Sequence, residues 1–249
     1  MTGGRWGLNL VTGFRPHEMG MFGLDSIPHV ERYIMAAEIT EMLERLWRED
    51  ADVTWKGRYW SLDEAYVSPK PVNGRPILVN AGSSEAGLGY AAKYSDLIFI
   101  TSPGGADIED ALRTLPDHTR HIRELAAGHG REIRTVINPH VICRDTEREV
   151  EEVCRAIVEA EDSAAVDGLM GTMTSGDQTS WRGHKRNQRI IGGNLHVFGT
   201  PEQVVEQFVK LKAAGCDGMQ INFFDFAPDL EYFGARVMPL LRQAGLRYD

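Results

Sequence analysis

A chain of 249 residues with 42% hydrophobic side chains is long enough to bury one sizeable core, as one large α/β domain or two small ones. Its formal net charge of -9 argues against a nucleic-acid binder, because gripping phosphate backbones needs a basic face. Three widely spaced cysteines, Cys143, Cys154 and Cys216, form neither a disulfide framework nor a zinc signature. No apolar run approaches the roughly 20 residues of a membrane helix, and the first residues lack the layout of a secretory signal. The expectation is a cytoplasmic protein with neither membrane nor nucleic acid as partner.

In chain order, short β-rich runs alternate with helical patterns. The first run is Gly7 to Thr12, closed by Gly13. A helix is expected over 29–49, with Tyr33, Ala36, Ala37, Leu43, Leu46 and Trp47 on one face. A hairpin follows, Val53-Thr54-Trp55 and Arg58-Tyr59-Trp60 flanking Lys56-Gly57, with Gly57 read as the positive-φ residue of the turn. Pro76 to Asn80 is the second run, leading through Ala81-Gly82-Ser83-Ser84 into a helix that ends near Tyr94. Asp96 to Ile100 is the third, and a helix over 107–127 follows, broken or kinked at Pro116. Thr135 to Ile137 is the fourth, continuing toward Cys143, with a helix over 146–161 after it. The stretch 162–198 reads as a long irregular segment. Thr200-Pro201-Glu202-Gln203 is a capping box with proline at the first helical position, Gly215 stops that helix, and Gly218 to Phe223 is the last run. This alternation means parallel β-structure, as an open doubly wound sheet or as part of a (β/α)8 barrel.

Ligands of parallel α/β proteins gather at the carboxyl ends of the strands. The polar residues there are Asn9, Thr12 and Glu18, then Asn80, Gly82, Ser83 and Ser84, then Thr101 and Ser102, then Asn138 and His140, then Asn222 and Asp225. Ala-Gly-Ser-Ser running into a helix suits a phosphate, because helix N-terminal amides carry partial positive charge. A serine serving simply as the N-cap explains the same residues, and on spacing alone stands slightly ahead. Arg32 beside Tyr33 offers a fork for phosphate or carboxylate, against the plainer reading of a solvated arginine beside a core tyrosine. His17, His29, His140 and His196 stand isolated, with no metal-ligand spacing, so no metal site is expected. Arg182, Lys185, Arg186 and Arg189, near Trp181 and His184, are a solvated run or a lid over an anionic ligand.

Gly4-Arg5-Trp6-Gly7-Leu8-Asn9-Leu10-Val11-Thr12-Gly13 resembles the GR-x-G-x-N-x-VTG segment of the bacterial-luciferase-like flavin-dependent monooxygenases, the family of the pyrimidine, alkanesulfonate and dimethylsulfone monooxygenases. Four further stretches agree in order: Glu31-Arg32-Tyr33, Lys56 to Trp60 leading to Pro69-Lys70-Pro71, Ala81 to Gly87, and Gly199 to Val204. The resemblance implies a TIM-like (β/α)8 barrel, one domain over 1–249, with FMN at the strand carboxyl ends and a lid at about 162–198. In the family the first segment lies near the fourth barrel strand, so about the last five β/α units are expected and the barrel is incomplete. It implies flavin contacts for Asn9, Glu18, Arg32, Tyr33 and Ser84, with Gly82 and Ser83 in the same phosphate loop, and assigns no catalytic residue. The implied activity is oxygenation of a small organic substrate, pyrimidine-, sulfone- or sulfonate-like, with O2 and with reduced FMN from a separate flavin reductase, by a homo-oligomer. Two alternatives stay open: an inactive or flavin-binding-only chain, and a deazaflavin-dependent oxidoreductase of the same superfamily.

Overall fold

The computed structural model describes residues 2–13, 16–23, 25–174, 185–193 and 195–247. The chain runs β1 (Gly7–Asn9), α1 (Pro16–Met21), α2 (His29–Arg48), β2 (Val53–Lys56), β3 (Ser61–Ala65), β4 (Ile77–Asn80), α3 (Glu85–Tyr94), β5 (Leu97–Ile100) and α4 (Ile108–Gly128). It continues through β6 (Arg134–Ile137), β7 (Pro139–Cys143), α5 (Glu147–Glu159), α6 (Ser163–Thr174), α7 (Arg186–Ile191), β8 (Leu195–Gly199), α8 (Pro201–Ala213), β9 (Gly218–Met219), α9 (Phe226–Arg236) and α10 (Met238–Gln243). Contacts divide it into two units, Met1–Ile98 with Ile122–Ile133, and Phe99–His121 with Arg134–Asp249.

In the first unit β1 pairs parallel with β4, Gly7 opposite Ile77 and Asn9 opposite Val79, and β4 pairs parallel with the start of β5. Alternation along β4 buries Leu78 and Asn80 and leaves Ile77 half exposed. Asp96 ties the ladder: it accepts two hydrogen bonds from Arg75 at 2.6 and 2.7 Å, one from Arg131 at 3.2 Å and one from the Leu78 amide at 2.9 Å. Burial raises the Asp96 pKa, but those bonds outweigh it and hold the carboxyl below its usual value.

The α2 helix has the expected range to within one residue at its C-terminus. Its face buries Ala36, Leu46 and Trp47 as the period predicts, and also the polar Arg32 and Thr40, which the pattern does not show. Met42 and Leu46 close over Val53 of the hairpin. That hairpin differs from expectation: its second strand is β3, and Arg58 to Trp60 belong to the turn. Glu38 explains why, since its carboxylate accepts from the amides of Arg58, Tyr59 and Trp60 and from the Trp55 indole, taking the donors a ladder would need. Gly57 is not at positive φ. A Cβ there would strike the Glu38 carboxylate, so close approach rather than turn geometry requires glycine.

In the second unit β6 pairs parallel with β9, and β7 pairs parallel with β8 from Pro139 opposite Leu195 to Cys143 opposite Gly199. The expected fourth run is thus two strands parted at Asn138, whose side chain donates to the Gln220 carbonyl at 3.0 Å. The last strand is shorter than expected, with a single further bridge between His140 and Asn222. The α4 helix continues through Pro116 without a break. Capping boxes at Thr146 and Thr200 start α5 and α8, and Gly215 at φ 97° follows the end of α8. The segment 162–198 is not irregular throughout: it holds α6, α7 and the start of β8, a strand with buried Leu195 and Val197. Of the expected lid, Trp181 to His184 lie outside the described residues, and Arg186 and Arg189 lie on α7. Among the described residues the parallel pairings do not close into a ring, in keeping with an incomplete barrel.

Candidate functional site

The N-terminal turns of α2 and α3 meet in the first unit. His29, Arg32 and Tyr33 occupy positions i, i+3 and i+4 of α2, which puts them on one face. Ser84 is the N-cap of α3 and accepts from the Gly87 amide at 3.2 Å, so the capping reading of that serine holds. The same hydroxyl lies 2.8 Å from His29 Nε2, and His29 Nδ1 lies 3.0 Å from Arg32 Nη2. Arg32 is 8% exposed and also donates from Nη1 to the Ile27 carbonyl at 2.6 Å.

Tyr33 packs edge-on against His29 and tilted against Tyr90 of α3, with centroid distances of 5.3 and 5.9 Å. Tyr90 hydrogen-bonds Thr40 at 2.7 Å, and burial pushes its pKa up to about 12. The Tyr33 hydroxyl sits over two glycines. A Cβ at Gly82 would lie 2.5 Å from it, and one at Gly87 would lie 2.7 Å from it. Among the described residues no partner accepts from or donates to this phenol. Gly82 is held by its amide, which donates to Asn80 Oδ1 at 2.7 Å, while Asn80 Nδ2 donates to the Leu10 carbonyl at 2.8 Å. Asn80 is 2% exposed, and it fixes the loop before α3 to the end of β1.

Arg32, Tyr33, Gly82 and Ser84 are therefore brought together, with the half-buried Ser83 between Gly82 and Ser84. Asn9 ends β1 on its exposed side, opposite Val79, and Glu18 lies exposed in the first turn of α1. Two residues that join the cluster were not among the expected contacts. His29 is one, and its spacing to Arg32 and Tyr33 is the signal that could have found it. Asn80 is the other; its place at the carboxyl end of the second β run marks it as a candidate, but its bonds to Gly82 and Leu10 are not expected from the sequence.

A phosphate suits this corner. Backbone amides at the start of α3 point a partial positive charge outward, the Tyr33 phenol lacks an acceptor among the described residues, and glycine at 82 leaves room that a Cβ would fill. Beside Arg32 a mainly apolar cavity of about 230 Å³ is lined by Leu10, Thr12, Ile27, Met35 and Trp60. A larger cavity of about 350 Å³ in the second unit faces Glu109, Glu147, Glu151 and Glu206 against Lys210 alone, a charge balance that repels an anion.

Comparisons with known proteins identify the family of the chain. Residues 1–218 match the model of the luciferase-like monooxygenases. The chain is 31% identical, over 98% of its length and 67% of that protein's, to an FMNH2-dependent dimethylsulfone monooxygenase of Pseudomonas fluorescens (strain Pf0-1). It is 28% identical to the pyrimidine monooxygenase RutA of Allorhizobium ampelinum, over 96% of this chain and 66% of that one. It superposes on the crystal structure of a long-chain alkane monooxygenase with a TM-score of 0.84 at 24% identity, covering 100% of this chain and 65% of that one, which shows a shared fold. The chain thus spans about two thirds of the length of the relatives it matches. With 218 of its 249 residues covered by the family model, the chain belongs to the luciferase-like monooxygenase family.

Proposed function

We propose that this chain binds reduced FMN by its phosphate at the N-terminus of α3 and serves a monooxygenase reaction on a small organic substrate with O2. The observation that carries the reading is the convergence of Ser84, Gly82, the Tyr33 phenol, which has no acceptor among the described residues, and the His29–Arg32 pair on one corner. The relatives' names supply the chemical class: one is FMNH2-dependent and acts on a sulfone, the other acts on pyrimidines. Reduced FMN, when bound, supplies the electrons that O2 activation needs. Because the chain's partner must deliver that flavin already reduced, a separate flavin reductase completes the system.

The chain's own residues hold and orient. Tyr33 and Ser84 offer hydroxyl donors to phosphate oxygens, Gly82 lets the backbone approach, and Arg32 holds His29 in place. Asn9, at the carboxyl end of β1, and Glu18 are assigned to the reacting end of the flavin. Flavin binding without turnover is the second reading; the exposure of both Asn9 and Glu18 favours it, since an oxygenating centre needs water excluded.

The test begins with fluorescence titration of FMN, riboflavin and a deazaflavin coenzyme against the purified chain. Preference for FMN over riboflavin supports the phosphate site, and preference for the deazaflavin overturns the FMN assignment. Turnover of sulfones, sulfonates or pyrimidines with reduced FMN and O2 above that of free reduced flavin supports oxygenation. Tight FMN binding without such turnover favours the second reading.

A further inference from the structure

We infer that His29 is a positioning residue that makes Ser84 an obligate hydrogen-bond donor toward the phosphate tail of the flavin. The inference rests on the flavin reading above and deepens it by naming how the site tells FMN from a flavin without phosphate.

The argument is a proton count. A guanidinium has donors only, so at 3.0 Å Arg32 Nη2 donates and His29 Nδ1 accepts. The neutral imidazole then carries its proton on Nε2, and at 2.8 Å that N–H donates to Ser84 Oγ. The Gly87 amide donates to the same oxygen at 3.2 Å. A serine hydroxyl has two lone pairs and one hydrogen. Both acceptor positions of Ser84 are thereby filled from within the protein, and its hydrogen has to leave in the remaining direction. No described residue accepts it. A group with oxygen acceptors, such as a phosphate, satisfies that hydrogen. The Arg32 Nη1 bond to the Ile27 carbonyl fixes the far end of the relay, so the chain Ile27–Arg32–His29–Ser84 runs from backbone to ligand. Arg32 thus acts on the ligand through His29.

The test measures FMN and riboflavin affinities for the wild type, His29→Phe, His29→Gln, Ser84→Ala and the His29→Phe/Ser84→Ala double variant. Phenylalanine keeps the edge-on packing with Tyr33 and removes both ring nitrogens. Expected is an FMN affinity lowered about tenfold in His29→Phe, with riboflavin affinity unchanged, because one charge-assisted phosphate contact loses its orientation. The double variant should bind FMN no worse than Ser84→Ala alone, since the histidine acts only through that hydroxyl. His29→Gln, whose amide N–H reaches the place of Nε2, should recover part of the loss. Full FMN preference in His29→Phe, or additive losses in the double variant, overturns the inference while leaving the flavin site standing. A wild type that binds FMN and riboflavin equally overturns both. Should His29→Phe fail to fold, riboflavin binding is lost with it, and the comparison of His29→Gln with Ser84→Ala then decides by the same criteria.

Discussion

The Tyr33 hydroxyl is held over Gly82 and Gly87 without a described hydrogen-bond partner, so removing it should cost the fold little and the ligand more. Tyr33→Phe is expected to leave the urea midpoint unchanged and to weaken FMN about fivefold, with riboflavin unaffected, as for one lost hydrogen bond. Equal weakening of both flavins would place the phenol away from the phosphate. Glu38 presents the opposite case, a side chain that serves structure alone. Burial raises its pKa, but the amides of Trp60, Tyr59 and Arg58 and the Trp55 indole prevail and hold the carboxyl below its usual value. A depressed folded pKa means that this contribution is present above about pH 4.5 and is lost as pH falls through the folded value. Glu38→Gln should therefore lower the urea midpoint at pH 7, and the gap to wild type should shrink as the pH falls below 4.5. A gap of constant size down to pH 3 would show that the charge is not what anchors the 58–60 turn. Arg32, Tyr33, Gly82 and Ser84 were legible in the sequence through the family motifs around them. The spacing of His29 to Arg32 and Tyr33 could place it on their face of α2, but its bond to Ser84, 55 positions away, has no local signal.

Among elements, the in-register β7–β8 pair decides the environment of His140. It stands opposite His196, bridges to Asn222, and its Nδ1 lies 3.3 Å from Asn222 Nδ2. Its Nε2 is buried without a hydrogen-bond partner among the described residues. Burial first, then the neighbouring His196, lowers its pKa to about 4. The unfolded chain, titrating near 6.5, then takes up a proton that the native state refuses, so stability is full above that value and falls as pH drops from 6.5 toward 4. The loss is on the order of 3 kcal/mol for a shift of this size. Replacing His140 by Asn should remove that portion of the pH dependence in urea unfolding, and an unaltered slope between pH 6.5 and 4 would show that the ring is not the group responsible. The capped helices α5 and α8 were readable in advance because a capping box joins residues three apart. The β8 strand was not, since Leu195 to Gly199 is short and follows a glycine-rich stretch, and only its partner β7 makes it a strand.

For the molecule as a whole, a ligand that binds only the native state raises stability by mass action. FMN at a hundredfold its dissociation constant should add about 2.7 kcal/mol, seen as a rise of several degrees in the melting temperature, and riboflavin at the same concentration should add less. Hydrogen exchange should slow on FMN binding mainly across the starts of α2 and α3. Unchanged melting at saturating FMN would remove the flavin reading. Interactions that span a few residues were written in the linear order of the chain: the alternation of strands and helices, the capping boxes, the glycine that ends α8, and the motifs that mark the family. Folding in three dimensions supplied the rest. It set Ser84 against His29, Gly57 against Glu38 and β7 against β8, contacts between distant stretches whose partners compete on equal local terms until packing and hydrogen-bond satisfaction select one arrangement.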